Sequence, residues 1–277
     1  MMRKWYLALR MWSLTATLIP IGVGGVLAKK AGHFSVGLFL LTLVCGICLQ
    51  SAVNLFNGYV DGVSGVDKCK GPPPVPLTSL RNGGLFFITA SALLAGIILW
   101  LTTWGLVWFA LAGILGASFY TGRFFKYAGF GVPGVFLLMG VLEVTAAFFV
   151  QTQMLSAAVV LASIPVACLV AAILHGNDLG DEAIDRAAGI KTTTLILGTA
   201  TAKHLYAVLN FTPYACVVAG VLLGYFGFTV LLTLLTIPLA IRLTLDSYQS
   251  VKLESLAERS AGLHFLFGMV FVAGLAL

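Results

Sequence analysis

Apolar residues run along this chain in long blocks, and the polar ones gather in the gaps between them. The blocks predict nine helical spans, roughly 11–28, 34–56, 84–102, 104–121, 131–151, 155–175, 204–223, 226–243 and 262–277. Most approach the ~20 apolar residues that cross the ~30 Å hydrocarbon core of a bilayer. They are rich in Leu, Ala, Gly and Phe and lack the alternation of a transmembrane strand. A backbone in lipid must satisfy its own hydrogen bonds, so helices are the expected form. The connection through Thr102, Thr103, Trp104 and Gly105 must be very tight. The last span is short, which predicts a tilted or incomplete crossing, or a chain running on past residue 277.

Composition agrees. Of the 277 residues, 60% are hydrophobic and 9% charged, against about 25% charged in a soluble domain. That excludes a soluble fold and predicts an all-α integral membrane protein, one transmembrane domain over 1–277. No short signal peptide stands before a polar domain, because apolar segments continue to the last residue. Cys45 and Cys48 form a C-x-x-C inside an apolar run and read as packing residues. Cys69 alone lies in a polar loop.

Charge tests the count of spans. With nine, the N-terminus and the loops after spans two, four, six and eight share one side. That side holds fourteen of the sixteen basic residues, all but Lys29 and Lys30. The positive-inside rule then puts the N-terminus and these loops in the cytoplasm, which for a bacterium means a multi-pass protein of the inner membrane. Nine of the ten acidic residues fall on the same side, in 57–67, 178–185 and 246–258. The polar chemistry is therefore expected at the cytoplasmic mouth.

Two acidic segments share a pattern. The first, after span two, carries Asn57, Asp61 and Asp67; Asn57 and Asp61 are four apart and share a helical face. The second, after span six, carries Asn177, Asp181 and Asp185, again in steps of four. Like charges held together cost energy unless a cation neutralises them. Mg²⁺ takes oxygen ligands and commonly joins one or two carboxylates to a substrate phosphate. Lys191, Arg186, Arg123 and Lys126 are candidates to neutralise the remaining phosphate charge. A cation-coupled transporter is the alternative of a different class, but transporters bind near the bilayer midplane, often at broken helices.

Together the motifs resemble those of the UbiA superfamily of intramembrane prenyltransferases. The likeness is strongest to the MenA branch, 1,4-dihydroxy-2-naphthoate polyprenyltransferase. It rests on Arg10-Met-Trp-Ser-Leu-Thr15 with Pro20, on Asn57-Gly-Tyr-Val-Asp61 followed by Asp67, and on Tyr120-Thr-Gly122 with Tyr127-Ala-Gly129. Asp185-Arg-Ala-Ala-Gly189 completes it. The resemblance implies a helical bundle around a central cavity, with both motifs holding Mg²⁺ and a polyprenyl diphosphate. In that reading Asp61, Asp67, Asp181 and Asp185 are metal ligands and catalytic, Asn57 and Asn177 contact diphosphate, and Lys191 follows the second motif as its basic partner. Implied partners are a polyprenyl diphosphate, an aromatic acceptor and membrane lipids. The acceptor is expected to be 1,4-dihydroxy-2-naphthoate, prenylated with decarboxylation in menaquinone synthesis. Alternatives are 4-hydroxybenzoate, homogentisate, a porphyrinoid or a glycerol phosphate. No nucleic acid is expected, and the sequence leaves the oligomeric state open.

Other residues are candidates for the acceptor pocket. Tyr59, Tyr120 and Tyr127 sit at span ends, as ring-stacking residues or as interfacial tyrosines. Arg10 or Arg123 would suit an acceptor carboxylate. Glu143 falls inside span five, where an ionisable group is either a cavity acid or a helix-packing group. His175 precedes the second motif as an orienting group, a base or a plain helix-end residue. Two positions depart from the family pattern. Gly58 stands where many members carry an aspartate, and Val132 where an acid is common.

Overall fold

The structure is a computed structural model and describes residues 2–64, 73–121 and 129–277. A short α1 (Met2–Ala8) leads through a 3₁₀ turn (Met11–Leu14) into α2 (Thr15–Lys30). α3 (Val36–Ser64), α4 (Leu77–Leu101) and α5 (Leu106–Thr121) follow. A rod over 131–152 joins α6 (Gly131–Val135), a π segment (Phe136–Leu142) and α7 (Glu143–Thr152). Next come α8 (Ala157–Gly180) and the short α9 (Glu182–Ala187) and α10 (Thr193–Leu197). The chain ends with α11 (Thr199–Leu222), a 3₁₀ segment (Phe228–Thr236) leading into α12 (Ile237–Tyr248), and α13 (Leu256–Ala276).

Among the described residues, eight helices are long and apolar enough to cross a membrane. The fourth expected span corresponds to α5, which is described for 16 residues up to Thr121, where the described residues break off. Several boundaries also move. α4 begins at Leu77, not 84, and α11 at Thr199, not 204. α13 begins at Leu256 and runs for 21 residues, so the short last span becomes a full-length crossing. In each case polar residues in the opening turns (Arg81 and Asn82, Lys203, Glu258 and Arg259) lie outside the expected span.

α8 is the central strut. Val166, Leu169, Ala171 and Ala172 on it are wholly buried, and α2, the 131–152 rod, α11 and α13 pack around it. Small residues bring these helices close, as dispersion-driven packing in lipid favours. A Cβ at Gly140 would fall 2.1 Å from Ala167 Cβ, and one at Gly24 would fall 2.7 Å from Ala147 Cβ. α3, α4 and α5 make a second wall, α3 against both of the others. The space between this wall and the α2–α8 side is the site.

Candidate active site

A cavity of about 650 Å³ lies between the two walls. Its mouth is polar, lined by Arg10, Gln50, Asn54, Asn57 and Asn177. Its sides are apolar and partly aromatic, with Trp12, Phe56, Phe109 and Met139. Deeper in, it meets Thr17, Cys45, Ser91 and Glu143.

α3 builds the first half of the mouth. Gln50, Asn54, Asn57 and Asp61 lie three or four residues apart, one stripe of a continuous helix. Asn54 and Asn57 are buried and are among the residues that line the cavity. The Asn54 amide donates to the Leu9 carbonyl (2.8 Å) and to Ser13 Oγ (2.9 Å). That clasp holds the break between α1 and the 3₁₀ turn, where Arg10 sits at φ 48°. A non-glycine residue in that region is uncommon, and here it delivers the Arg10 side chain to the cavity. Asp61, one turn beyond Asn57, is also buried.

The second half comes from the end of α8. Asp181 caps the helix through its backbone N–H on the Asn177 carbonyl (2.9 Å). Asn177 Nδ2 donates to Asp181 Oδ2 (3.0 Å), so amide and carboxylate are oriented as a pair. α9 continues the turn: the Asp185 N–H reaches the Asp181 carbonyl (2.8 Å), and its carboxyl is buried. Gly189, at φ 68°, ends α9 in the left-handed region, and the Ile190 N–H returns to the Asp185 carbonyl (2.9 Å). This is the αL helix stop that glycine favours, and it accounts for the Asp185-to-Gly189 spacing. Beneath the motif, Gly176 and Gly180 rest on the start of α13. A Cβ at Gly180 would fall 2.6 Å from the Leu253 carbonyl oxygen.

Asn57 and Asn177 thus reach one cavity from opposite walls, each one turn from its aspartate. Of the other candidates, Arg10 and Glu143 share the cavity and the rest that are described lie elsewhere. Arg186 is exposed and held by Glu182 (2.9 Å), and Lys191 is exposed beyond Gly189. Tyr59 packs with Trp5 against Leu55 and Leu80 and does not line the cavity. His175 is wholly buried and turned toward α11, where Nε2–H donates to the Ala202 carbonyl (2.7 Å); it too is absent from the cavity wall. Glu143 does line it, its Oε1 lying over Gly46. Gly46 precedes Asn57 by eleven residues of one helix, about 16 Å along its axis. Glu143 therefore belongs to the deep end. Asp67, Cys69, Arg123, Lys126 and Tyr127 fall outside the described residues, as does the side chain of Tyr120.

Both departures from the family pattern are packing positions. A Cβ at Gly58 would meet Leu80 Cδ1 at 3.5 Å, so position 58 faces α4. Val132 is buried in the main core. Sequence reading missed Trp12, Ser13, Thr17 and Gln50. For Gln50 and Asn54 the signal was available, since both share the helical face of Asn57 and Asp61.

Among the described residues, no three His, Cys, Asp or Glu side chains form a metal cage. Amides line the mouth of the apolar cavity, and the carboxylates of Asp61, Asp181 and Asp185 stand one or two turns beyond Asn57 and Asn177, outside the cavity lining. That set suits a hard divalent cation completing its shell with water and phosphate oxygens, as Mg²⁺ does. It does not suit a protein-only site for zinc.

Fold and site together define a polytopic helical membrane protein with an internal cavity and an oxygen-rich mouth. The chain belongs to the UbiA prenyltransferase family, whose model matches residues 17–271. It is 33% identical over 282 residues to UbiA prenyltransferase domain-containing protein 1 of Xenopus tropicalis, spanning 98% of this chain and 81% of that one. To the Gallus gallus protein of the same name it is 34% identical, over 98% and 84% of the two chains. Among solved structures, a UbiA homolog from Aeropyrum pernix K1 superposes with TM-score 0.72 at 17% identity, covering 96% of this chain and 97% of that one. A homolog from Archaeoglobus fulgidus bound to GPP and Mg²⁺ gives 0.66 at 18% identity, covering 99% and 100%. These relatives carry the family name without that of the MenA branch.

Proposed function

We propose that this protein transfers a polyprenyl group from its diphosphate to 1,4-dihydroxy-2-naphthoate, in the manner of the MenA branch. The observation that carries the prenyl-transfer reading is that Asn57 and Asn177, each one turn from an aspartate, line one cavity from opposite walls. The naphthoate acceptor rests on the motif spacing set out above.

Asp61, Asp181 and Asp185, with Asp67 from the first motif, are the groups to hold Mg²⁺ against the diphosphate. When bound, Mg²⁺ neutralises charge on the leaving group and so eases heterolysis of the allylic C–O bond. Asn177 fixes the orientation of Asp181, and Asn57 offers an amide to phosphate oxygen. Arg10, delivered to the mouth by the α1 break, supplies a planar cation for a phosphate or carboxylate. The apolar sides take the prenyl chain and keep water from the allylic cation. Trp12, Phe56 and Phe109 present aromatic faces able to shield it. The bonding pair leaves with diphosphate; the electron-rich ring supplies the pair for the new C–C bond, and loss of CO₂ from the carboxylate returns a pair to the ring and restores aromaticity. The motif end faces the cytoplasm in this reading.

The test is purified protein with polyprenyl diphosphate, Mg²⁺ and a panel of acceptors, followed by mass analysis of the lipids. Prenylated, decarboxylated naphthoquinol is the expected product; product with another acceptor reassigns the substrate. EDTA should abolish turnover, and added Mg²⁺ should restore it. No product with any acceptor, together with undiminished diphosphate binding in Asp61→Asn and Asp181→Asn, would sink the metal–diphosphate site.

A further inference from the structure

A second concave site lies between α12 and α13, outside the central cavity. It is a groove of about 280 Å³ with Leu239, Leu263 and Leu266 along it and Arg242, Lys252 and Arg259 around it. The direction of the helices sorts these residues by depth. α12 runs toward the motif end, where Leu253 lies against Gly180, and α13 runs away from it. Lys252 and Arg259 therefore mark the motif end, Arg242 lies one turn from Leu239, and the leucines line the deeper part.

Leu239 and Leu266 are exposed, so the groove opens outward from the bundle. Gly262 also lines it and has no atom within 4 Å of where a Cβ would stand. A channel is thus left open along α13, bordered by leucine.

The charges do not cancel. Asp246 is the shared acidic neighbour of Arg242, Lys252 and Arg259, and it is ion-paired with Arg259. Arg259 offers Nη2 a long bond to the Lys252 carbonyl (3.4 Å), and its Nε has no acceptor among the described residues. Glu254 and Glu258 are exposed and do not line the groove. Three cations against one carboxylate leave a surplus of two.

Arg242 lies six residues inside the end of α12 at Tyr248, about 9 Å along the axis. A guanidinium at that depth is costly unless it reaches an anion at the interface. A free anion would use the cations and gain nothing from the leucines. An apolar chain alone would leave the cations unmatched. We propose that this groove binds an anionic phospholipid, its phosphate between Arg242 and Lys252 and one acyl chain over Gly262 along the leucines. The site is separate from the prenyl-transfer reading and stands or falls without it.

The full chain, purified in neutral detergent, is titrated with phosphatidylglycerol, with phosphatidylcholine of the same acyl chains, and with inorganic phosphate, and bound lipid is counted by native mass spectrometry. Phosphatidylglycerol should bind at least tenfold more tightly than phosphatidylcholine. Arg242→Gln and Lys252→Gln should each weaken it by roughly fivefold, the usual contribution of one basic side chain at an anionic membrane surface. Gly262→Leu, which fills the channel without changing charge, should also weaken it while leaving the melting temperature in place. Lys29→Gln/Lys30→Gln, at the opposite end of the bundle, should change nothing. Equal binding of the two lipids, undiminished preference in Arg242→Gln/Lys252→Gln, or displacement by inorganic phosphate would each overturn the proposal.

Discussion

Asn177 does two things at once: it lines the cavity and donates to the carboxylate of Asp181. Asn177→Ala removes the donor that orients the carboxylate but leaves the carboxylate itself. Groups that hold a metal ligand from behind typically contribute 10- to 100-fold in affinity or activity. Asn177→Ala should therefore lower kcat/KM for the prenyl diphosphate by roughly that factor at saturating acceptor, with secondary structure unchanged by circular dichroism. Glu143 gives the opposite expectation. Its place near Gly46, about 16 Å from the Asn57 layer, keeps it away from the breaking bond. Glu143→Gln should leave kcat within about threefold of wild type, under 1 kcal/mol of barrier. A loss of two or more orders of magnitude in a folded variant would return Glu143 to the chemistry.

At the level of the helix, glycine separates close crossings from open faces. Gly140 meets Ala167 so closely that a methyl group cannot enter without moving backbone, its Cβ falling 2.4 Å from Ala167 Cα. Gly140→Ala should destabilise the fold by about 1–3 kcal/mol, the usual cost of overpacking, and lower the melting temperature in detergent. Gly96 on α4 has nothing within 4 Å. Gly96→Ala should be neutral or stabilising by up to about 1 kcal/mol from helix propensity. The existence of these helices was legible in the sequence because lipid permits few alternatives to a satisfied helical backbone. Their starts were less so. Arg81, Lys203 and Arg259 lie in the opening turns, where a polar side chain reaches the interface without ending the helix. The facing of Glu143 was not legible at all. The π segment Phe136–Leu142 inserts extra backbone just before it, and a strict 3.6-residue period misassigns every side chain beyond such a turn. The two motifs could be read because each keeps its four-residue step on one helix or across one cap.

For the whole molecule, the uneven charge predicts an orientation that labelling can test. Lys29 and Lys30 close α2 at the end opposite both motifs, whereas Ser250 lies in the turn between α12 and α13, three residues before Leu253, which meets Gly180. In a variant stripped of its own cysteines, Gly32→Cys and Ser250→Cys should react with an impermeant maleimide from opposite sides of the membrane. If the motifs face the cytoplasm, Ser250→Cys should label only in inverted vesicles. Labelling of both from one side would overturn the threading of the chain, independently of what the cavity binds.

The seat of Gly176 and Gly180 on the start of α13 also has a consequence for how the molecule is made. The ribosome delivers α8 well before the turn at Leu253, with α11 and α12 still to enter the membrane between them. Until that turn arrives, the helix carrying Asn177 and Asp181 has no floor. A nascent chain stopped after α12 therefore holds both halves of the motif pair in sequence, while the second still lacks this seat. On the prenyl-transfer reading, diphosphate binding should accordingly appear late in synthesis, when the last helix enters, and not when the second motif is translated.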